Sequence, residues 1–251
     1  MTPKERQDKI MEILTQKLEV NVLKLATLFN VTDETIRRDL KVLEEEKKVI
    51  RSYGGAKLFT TRKCEVPIAV RQDIFKESKL KISEICSNYI NDNDVIFIDA
   101  STTAYYIIPH LLKKKNITIV SNSLLHLGYA SSFKKLKIIC LGGTLDPLSN
   151  SFLGPQTTLQ VKNIFFDKAF ISCRGMNKLA ITDANDQQAL LRKIVLQHTN
   201  YQYLILDQTK FDVTSLHVIE ETKNISHIIT DKKPSNSWCN FFKKNQILYD
   251  Y

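Results

Sequence analysis

The sequence predicts an α/β protein in two parts: a small N-terminal winged helix-turn-helix, then a larger α/β domain with a mainly parallel sheet. Three observations carry this. Three short helical patterns lead into a Gly-Gly hairpin, a stretch lacking either period follows, and beyond it short apolar runs alternate with helical patterns. The expected boundaries are 1–58 for the first domain, 59–75 for a linker and 76–251 for the second domain.

Residues 3–18 read as an amphipathic helix: Pro3 suits a first turn, and Ile10, Ile13, Leu14 and Leu18 form one apolar stripe. A second helix starts at the cap Asn21 and runs through Leu25 to Phe29, where Asn30 breaks it. A third begins at Thr32, with Asp33 and Glu34 at the end of the dipole that favours acids. Its apolar face is Ile36, Leu40 and Leu43, and its other face carries Thr35, Arg37, Arg38 and Lys41. Residues 49–52 and 56–58 flank the turn Tyr53-Gly54-Gly55, a hairpin wing bearing Arg51 and Lys57.

In the larger part, helices are expected near 77–90, 102–112, 155–162 and 186–198, with a further one between the second and third strands. The strands are 95–98, 117–120, 137–141, 169–171 and 203–206, and 227–229 adds one more. Continuous apolar strands between helices imply a parallel sheet covered on both faces. The aromatic tail, Phe241-Phe242 with Leu248-Tyr249, reads as a sheet edge or a subunit contact.

The chain has 251 residues, 43% of them hydrophobic, enough for a substantial core without staples. No apolar run approaches the 18 or so residues of a membrane span, and no leader pattern is evident, so a cytoplasmic protein with no membrane partner is expected. Five cysteines, an odd count without a Cys-x-x-Cys, fit a reducing compartment. The five histidines never fall at ligand spacing, so neither a metal nor a cofactor is expected. Runs such as 113–115 and 134–137 read as solvated lysine faces.

The net charge of +9 points to a polyanionic partner, but residues 1–63 hold 14 basic and 10 acidic side chains, so bulk charge decides little. Position decides more. A capped third helix on a two-helix scaffold suits the major groove, where Arg37 and Arg38 either read guanine edges or clamp phosphates. Arg51 and Tyr53 on the wing would track the adjacent backbone or minor groove. In the larger part, polar clusters close successive strands: 99–103, 121–123, 141–144 and 207–211. In parallel sheets ligands bind at these ends, so a small-molecule crevice is expected.

The run Thr35-Ile36-Arg37-Arg38-Asp39-Leu40, thirteen residues before Gly54-Gly55-Ala56, closely resembles the DNA-binding domain of the DeoR family of bacterial transcription regulators. The likeness covers residues 5–57, with Lys47-Lys48 where the family usually has a glycine and Tyr53 where it often has histidine. It extends over about 75–231 through Asp99, Thr102-Thr103, Asn122-Ser123, Leu141-Gly142-Gly143, Asp167, Gly175 and Asp207-x-x-Lys210-Phe211. The resemblance implies a sugar-phosphate isomerase-like fold that senses a phosphorylated sugar. By that carry-over Thr35, Arg37, Arg38, Lys41, Arg51, Tyr53, Gly54 and Gly55 face DNA. The effector set is Asp99, Ser101, Thr102, Thr103, Asn122, Gly143, Arg192, Asp207 and Lys210. Ser101 replaces a usual glycine, Ser172-Cys173 a common Gly-Ala, and Arg192 a frequent lysine.

The expected function is a DNA-binding regulator, a repressor on family grounds, released from double-stranded operator DNA by a phosphorylated sugar and acting as a dimer or tetramer. It has no catalytic residues in this reading. An isomerase-like enzyme would account for the second part alone, and a metabolite-blind DNA-binding protein for the first alone.

Overall fold

The computed structural model describes residues 1–17, 19–46, 48–58, 68–73 and 75–251. The chain divides into two units, Met1–Phe75 and Lys76–Tyr251. The first unit contains α1 (Pro3–Lys17), β1 (Glu19–Asn21), α2 (Val22–Phe29), α3 (Asp33–Glu45), β2 (Val49–Ser52), β3 (Gly55–Leu58) and α4 (Ile68–Asp73).

Local chemistry sets these helix boundaries. The Asn21 side chain accepts the Lys24 N–H and starts α2, and Asn30 ends it in the left-handed region at φ 52°. Thr32 caps α3 by accepting the Thr35 N–H. Ile10, Leu14, Leu25, Ile36, Leu40, Leu43 and Val49 meet in one buried core, each worth about 1.5–3 kcal/mol when fully covered. Leu18, expected in the same stripe, lies outside the described residues.

Beneath α3 a second interaction ties the unit together. Asp39 is buried and accepts from Arg6 Nε at 2.5 Å, Arg6 Nη2 at 3.2 Å and Gln7 Nε2 at 3.2 Å. This pair fastens α1 to α3 through a two-pronged, hydrogen-bonded contact.

β1 is a departure from the expected hairpin. It pairs antiparallel with β3, making the sheet order β1-β3-β2. Three residues are too few to show alternation in a sequence. The pairing also explains the wing glycines. Gly54 turns the chain at φ +79°, and a Cβ on Gly55 would come within 2.0 Å of the Val20 carbonyl oxygen. Within the stretch expected as a linker, residues 59–67 lie outside the described residues and α4 occupies Ile68–Asp73. Six residues make under two turns, too short for a helical period to register.

The second unit runs α5 (Lys76–Ser87), β4 (Val95–Ile98), α6 (Thr102–Tyr105), α7 (Ile108–Leu111), β5 (Thr118–Ser121), α8 (Leu124–Ser131), β6 (Lys137–Cys140), β7 (Thr144–Asp146) and β8 (Ser151–Leu153). It continues with α9 (Pro155–Val161), β9 (Phe166–Ile171), β10 (Gly175–Met176), β11 (Ala180–Asp183), α10 (Asp186–Gln197) and β12 (Thr199–Ile205). The last elements are β13 (His217–Glu221), β14 (His227–Ile229), α11 (Asn236–Lys244) and β15 (Leu248–Asp250).

Seven strands form one sheet in the order β15-β14-β12-β9-β4-β5-β6, and every pairing is parallel. Successive residues of β4 serve opposite faces, as the strand period demands. Phe97 joins Ala169, Leu204, Val195 and Trp238 in one core, while Ile96 and Ile98 join Ile82, Ile108, Ile119 and Phe170 in the other. Of the aromatic tail, Leu248–Asp250 is the edge strand as expected, whereas Phe242 on α11 is neither edge nor subunit contact but is buried in the core of this unit.

Two expectations change. The single helix near 102–112 is two short ones, because Pro109 opens α7 at its first turn and cannot extend α6. The hairpin β7–β8 and the antiparallel sheet β10-β11-β13 were not anticipated. Their strands are two to five residues long, so neither length nor alternation marks them.

Asp39→Ala strands Arg6 as a buried unpaired cation, and is expected to destabilise the first unit by about 3–5 kcal/mol. Glu45→Gln on the exposed face of the same helix should stay within about 0.5 kcal/mol. Urea unfolding of the full chain, followed by far-UV dichroism, measures both.

Candidate nucleic-acid interface and strand-end cluster

α3 presents two chemically distinct faces. Ile36, Asp39, Leu40 and Leu43 are buried, while Arg37, Arg38 and Lys41 are exposed and Thr35 is half-buried beside the cap. Arg38 meets Glu34 at 3.6 Å and Lys41 meets Glu45 at 4.0 Å, both as exposed pairs one turn apart. Such pairs are worth well under 1 kcal/mol, so a phosphate displaces them at little cost. On the wing, Arg51 lies 3.8 Å from Glu44, and Tyr53 projects fully into solvent. A cavity of about 420 Å³ opens behind the wing, lined by Val20, Lys24, Leu28 and Tyr53 among others; it belongs to this unit and not to the strand ends.

The parallel sheet gathers the other set. β12, β9, β4 and β5 are consecutive neighbours, about 4.8 Å apart. Their carboxyl ends therefore place Asp207, Ser172-Cys173, Asp99 and Asn122 side by side, with Gly143 beyond β6. Asp99 is a hub. Its Oδ1 accepts the Ser101 N–H at 3.0 Å, and its Oδ2 accepts the Ser172 N–H at 2.9 Å and Arg192 Nε at 2.8 Å. Arg192, on α10, donates its Nη1 to Asp183 at the end of β11. All three charged groups are buried. Burial opposes the Arg192 charge, but Asp183 and Asp99 outweigh it and hold the guanidinium pKa above its ordinary value.

Asp207 is buried too and bonds Thr209 through its N–H at 2.9 Å and through its hydroxyl, shaping the turn that carries Lys210. Cys173 reports the convergence: burial pushes its thiol up to about 12, while Lys210 and Arg192 pull it down and Asp183 and Asp207 push it further up. Thr102 and Thr103 begin α6 and are buried. Gly143, at φ +156°, is dictated by packing: a Cβ there would sit 2.1 Å from Thr157 Oγ1 and 2.6 Å from the Leu153 carbonyl oxygen. Among the described residues, no group of three or more His, Cys, Asp or Glu side chains is placed to hold a metal, and no helix is long and apolar enough to cross a membrane.

The pattern of the DeoR C terminal sensor domain matches residues 74–232, and that of the DeoR-like helix-turn-helix domain matches residues 6–62. The chain belongs to the DeoR family of DNA-binding transcription regulators. It is 33% identical to the uncharacterized HTH-type transcriptional regulator YulB of Bacillus subtilis, over 90% of this chain and 88% of that protein. The HTH-type transcriptional repressor GlcR of Bacillus subtilis is 28% identical over 98% of this chain and 95% of its own. The L-fucose operon activator of Haemophilus influenzae is 26% identical over 97% and 98%. Among solved structures, a D-ribose-5-phosphate isomerase in complex with phospho-erythronic acid overlaps 54% of each chain at 17% identity and a TM-score of 0.41.

Within this DeoR-family chain the departures from the family pattern have local reasons. Ser101 has φ −84° and ψ 149°, so the loop needs no glycine, and its hydroxyl caps α6 by accepting the Ala104 N–H at 3.1 Å. Arg192 spans two carboxylates with a rigid planar fork, which a lysine ammonium cannot match.

Sequence reasoning missed His126, one of the five histidines set aside there for want of ligand spacing. It lies on α8, 1% exposed, and neither ring nitrogen has a hydrogen-bond partner at normal distance, the Ser101 backbone being at most a longer, weaker contact. Burial lowers its pKa to about 4, against a smaller raising effect of Asp99 and of the Ser101 backbone. No spacing pattern flags one histidine on a short helix.

The unfolded chain protonates His126 near pH 6.5, whereas the folded chain does so only near 4. The unfolded state therefore binds more protons in that window, and stability falls as pH falls through it, by about 3 kcal/mol from this group. His126→Phe is expected to lose less melting temperature than wild type between about pH 7 and about pH 4; parallel losses would show that His126 carries no such linkage.

Proposed function

We propose that this regulator represses a sugar-linked operon by holding operator DNA with α3 and its wing, and lets go when a phosphorylated sugar occupies the strand-end cluster. The observation that supports it most directly is the two-faced α3. Asp39 and three aliphatic side chains anchor it, while Arg37, Arg38 and Lys41 stand outward with only exposed partners or none that fix them. An α-helix so mounted fits the major groove, with Thr35 and the arginines toward base edges or phosphates. Arg51 and Tyr53 face the neighbouring backbone, while Gly54 and Gly55 act through the shape of the wing.

For the ligand, the cluster supplies complementary parts. Lys210 offers a point charge, and the first-turn N–H groups and hydroxyls of Thr102 and Thr103 offer directional donors to a phosphate. Asp207 and Asn122 suit sugar hydroxyls. Asp99 and Arg192 serve as a frame, since their polar atoms already hold Ser101, Ser172 and Asp183. The name of GlcR supports repression, and that of the L-fucose operon activator supports a link to a sugar operon. Repression is the direction taken here: deleting the gene should raise expression of the operon, and a fall would make the protein an activator.

The reading also needs two copies. One helix of this length covers too few base pairs to single out an operator, so a dimer or tetramer on a repeated site, in the cytoplasm, follows. The protein is not an enzyme in this account, and turnover of a sugar phosphate by the purified chain would overturn that.

Arg37→Ala and Arg38→Ala are each expected to weaken operator binding by about 1–3 kcal/mol if the side chain reads a base. If it touches phosphate, the salt slope should drop by about one. Fluorescence anisotropy on duplexes selected from a random library measures both, and two unaffected variants would remove α3 as the reading element.

Lys210→Met is expected to keep operator affinity and lose release by sugar phosphate, because the reading helix is untouched. Titrating the sugar phosphate into the preformed complex tests this, and release at the wild-type concentration would place the anion elsewhere.

A further inference from the structure

We infer that His126, with Asn122 beside it, reads the hydroxyl-bearing end of the ligand and so sets which sugar is sensed. The inference rests on the strand-end site proposed above and adds a residue outside the family pattern.

Buried polar atoms in folded proteins almost always have hydrogen-bond partners, because an unpaired one keeps the full cost of its desolvation. Among the described residues, three atoms at the β5–α8 junction break this rule: Asn122 Oδ1 and both ring nitrogens of His126. The polar groups next to them in the chain are bonded. Ser121 Oγ donates to the Ile98 carbonyl at 2.7 Å and accepts the Ser123 N–H at 3.1 Å. Asn122 Nδ2 donates to the Phe152 carbonyl at 3.0 Å, which fixes the carboxamide and leaves its oxygen over. The His126 ring packs 5.6 Å from that of Tyr105 and lies within the field of Asp99, facing the backbone of Ser101. The unpaired atoms thus adjoin the same loop, 99–103, that closes β4.

The identity of these atoms selects the chemistry. A carboxamide oxygen is an acceptor only, so it needs a donor. A neutral imidazole has one donor and one acceptor. A phosphate oxyanion offers the carboxamide oxygen nothing and is repelled by Asp99. Two neighbouring hydroxyls of a polyol satisfy all three atoms: one donates to the carboxamide oxygen, the other donates to the bare ring nitrogen, and either accepts the imidazole N–H. The anionic end of the ligand therefore belongs toward Lys210 and Thr102-Thr103, and its polyol end toward β5 and α8. The ring nitrogens are closed to solvent, so a hydroxyl reaches them only as the 101–103 turn gives way. That displacement couples ligand identity to a change of conformation, as a sensor requires.

The test is calorimetric titration of the full-length protein with inorganic phosphate, glucose 6-phosphate, fructose 6-phosphate and ribose 5-phosphate. Wild type, His126→Phe and His126→Gln are compared. The expected result is that His126→Phe weakens the tightest sugar phosphate tenfold or more and leaves inorganic phosphate within twofold. His126→Gln, which restores a donor and an acceptor, should recover part of the loss. The ligand-free melting temperature of His126→Phe should not fall at neutral pH, because an apolar ring replaces an unpaired polar one. Unchanged sugar-phosphate affinity in both variants overturns the inference. So does an equal loss for sugar phosphate and inorganic phosphate with a lowered melting temperature, which marks a merely structural residue. Wild type binding inorganic phosphate as tightly as every sugar phosphate overturns it too. Wild type binding none of the four probes instead overturns the strand-end reading, and this inference with it.

Discussion

Seven strands hydrogen-bonded in one direction must all end at the same margin of their sheet, and the chemistry of the larger unit depends on that constraint. Asp207, Cys173, Asp99 and Asn122 lie far apart in sequence, yet they close four consecutive parallel strands, each about 4.8 Å from the next. Both faces of the sheet are sealed by apolar cores, so the margin is where polar groups can gather. There the buried Asp99–Arg192–Asp183 bridge joins the end of β4 to the end of β11, linking the large sheet to the small antiparallel one.

The first unit solves a similar problem with one side chain in place of a sheet. In the run Arg37-Arg38-Asp39, two residues point outward and the third turns inward to Arg6 and Gln7. A single turn of helix thus carries both the contact surface and the fastening that orients it. The signature is dense because neighbouring residues of a helix face different surroundings, each with its own requirement.

Legibility in the sequence followed the strength of local physics. Asn21 and Thr32 cap the helices they were expected to cap, and the apolar runs around Ile96, Ile119 and Phe170 became central strands, because caps and core strands act over a few residues. The division of 102–112 at Pro109, the three-residue β1 and the short strands β7, β8, β10 and β11 did not register, being too short for a period to repeat. At the strand ends, the residue types of Asp99, Asn122 and Asp207 were readable, but their partners were not. That Asp99 is engaged by Arg192, 93 positions later, is a fact of topology. His126 was invisible for the same reason: its significance lies in what does not surround it.

The pairing of β1 with β3 has a consequence in time. The contacts that fasten the three helices to the wing, among them Arg6 with Asp39 and Val20 with Ala56, lie within the first 58 residues. The large sheet is different, since β4 waits for β9 and the edge strand β15 ends at Asp250. At ribosomal speeds of about 5–20 residues per second, roughly 10–40 s separate the emergence of the last winged-unit residue from that of the last sheet residue. The half that grips DNA is therefore complete while the half that governs it is still being made. For that interval each nascent chain carries a finished winged unit without the domain that regulates it, tethered to its own messenger.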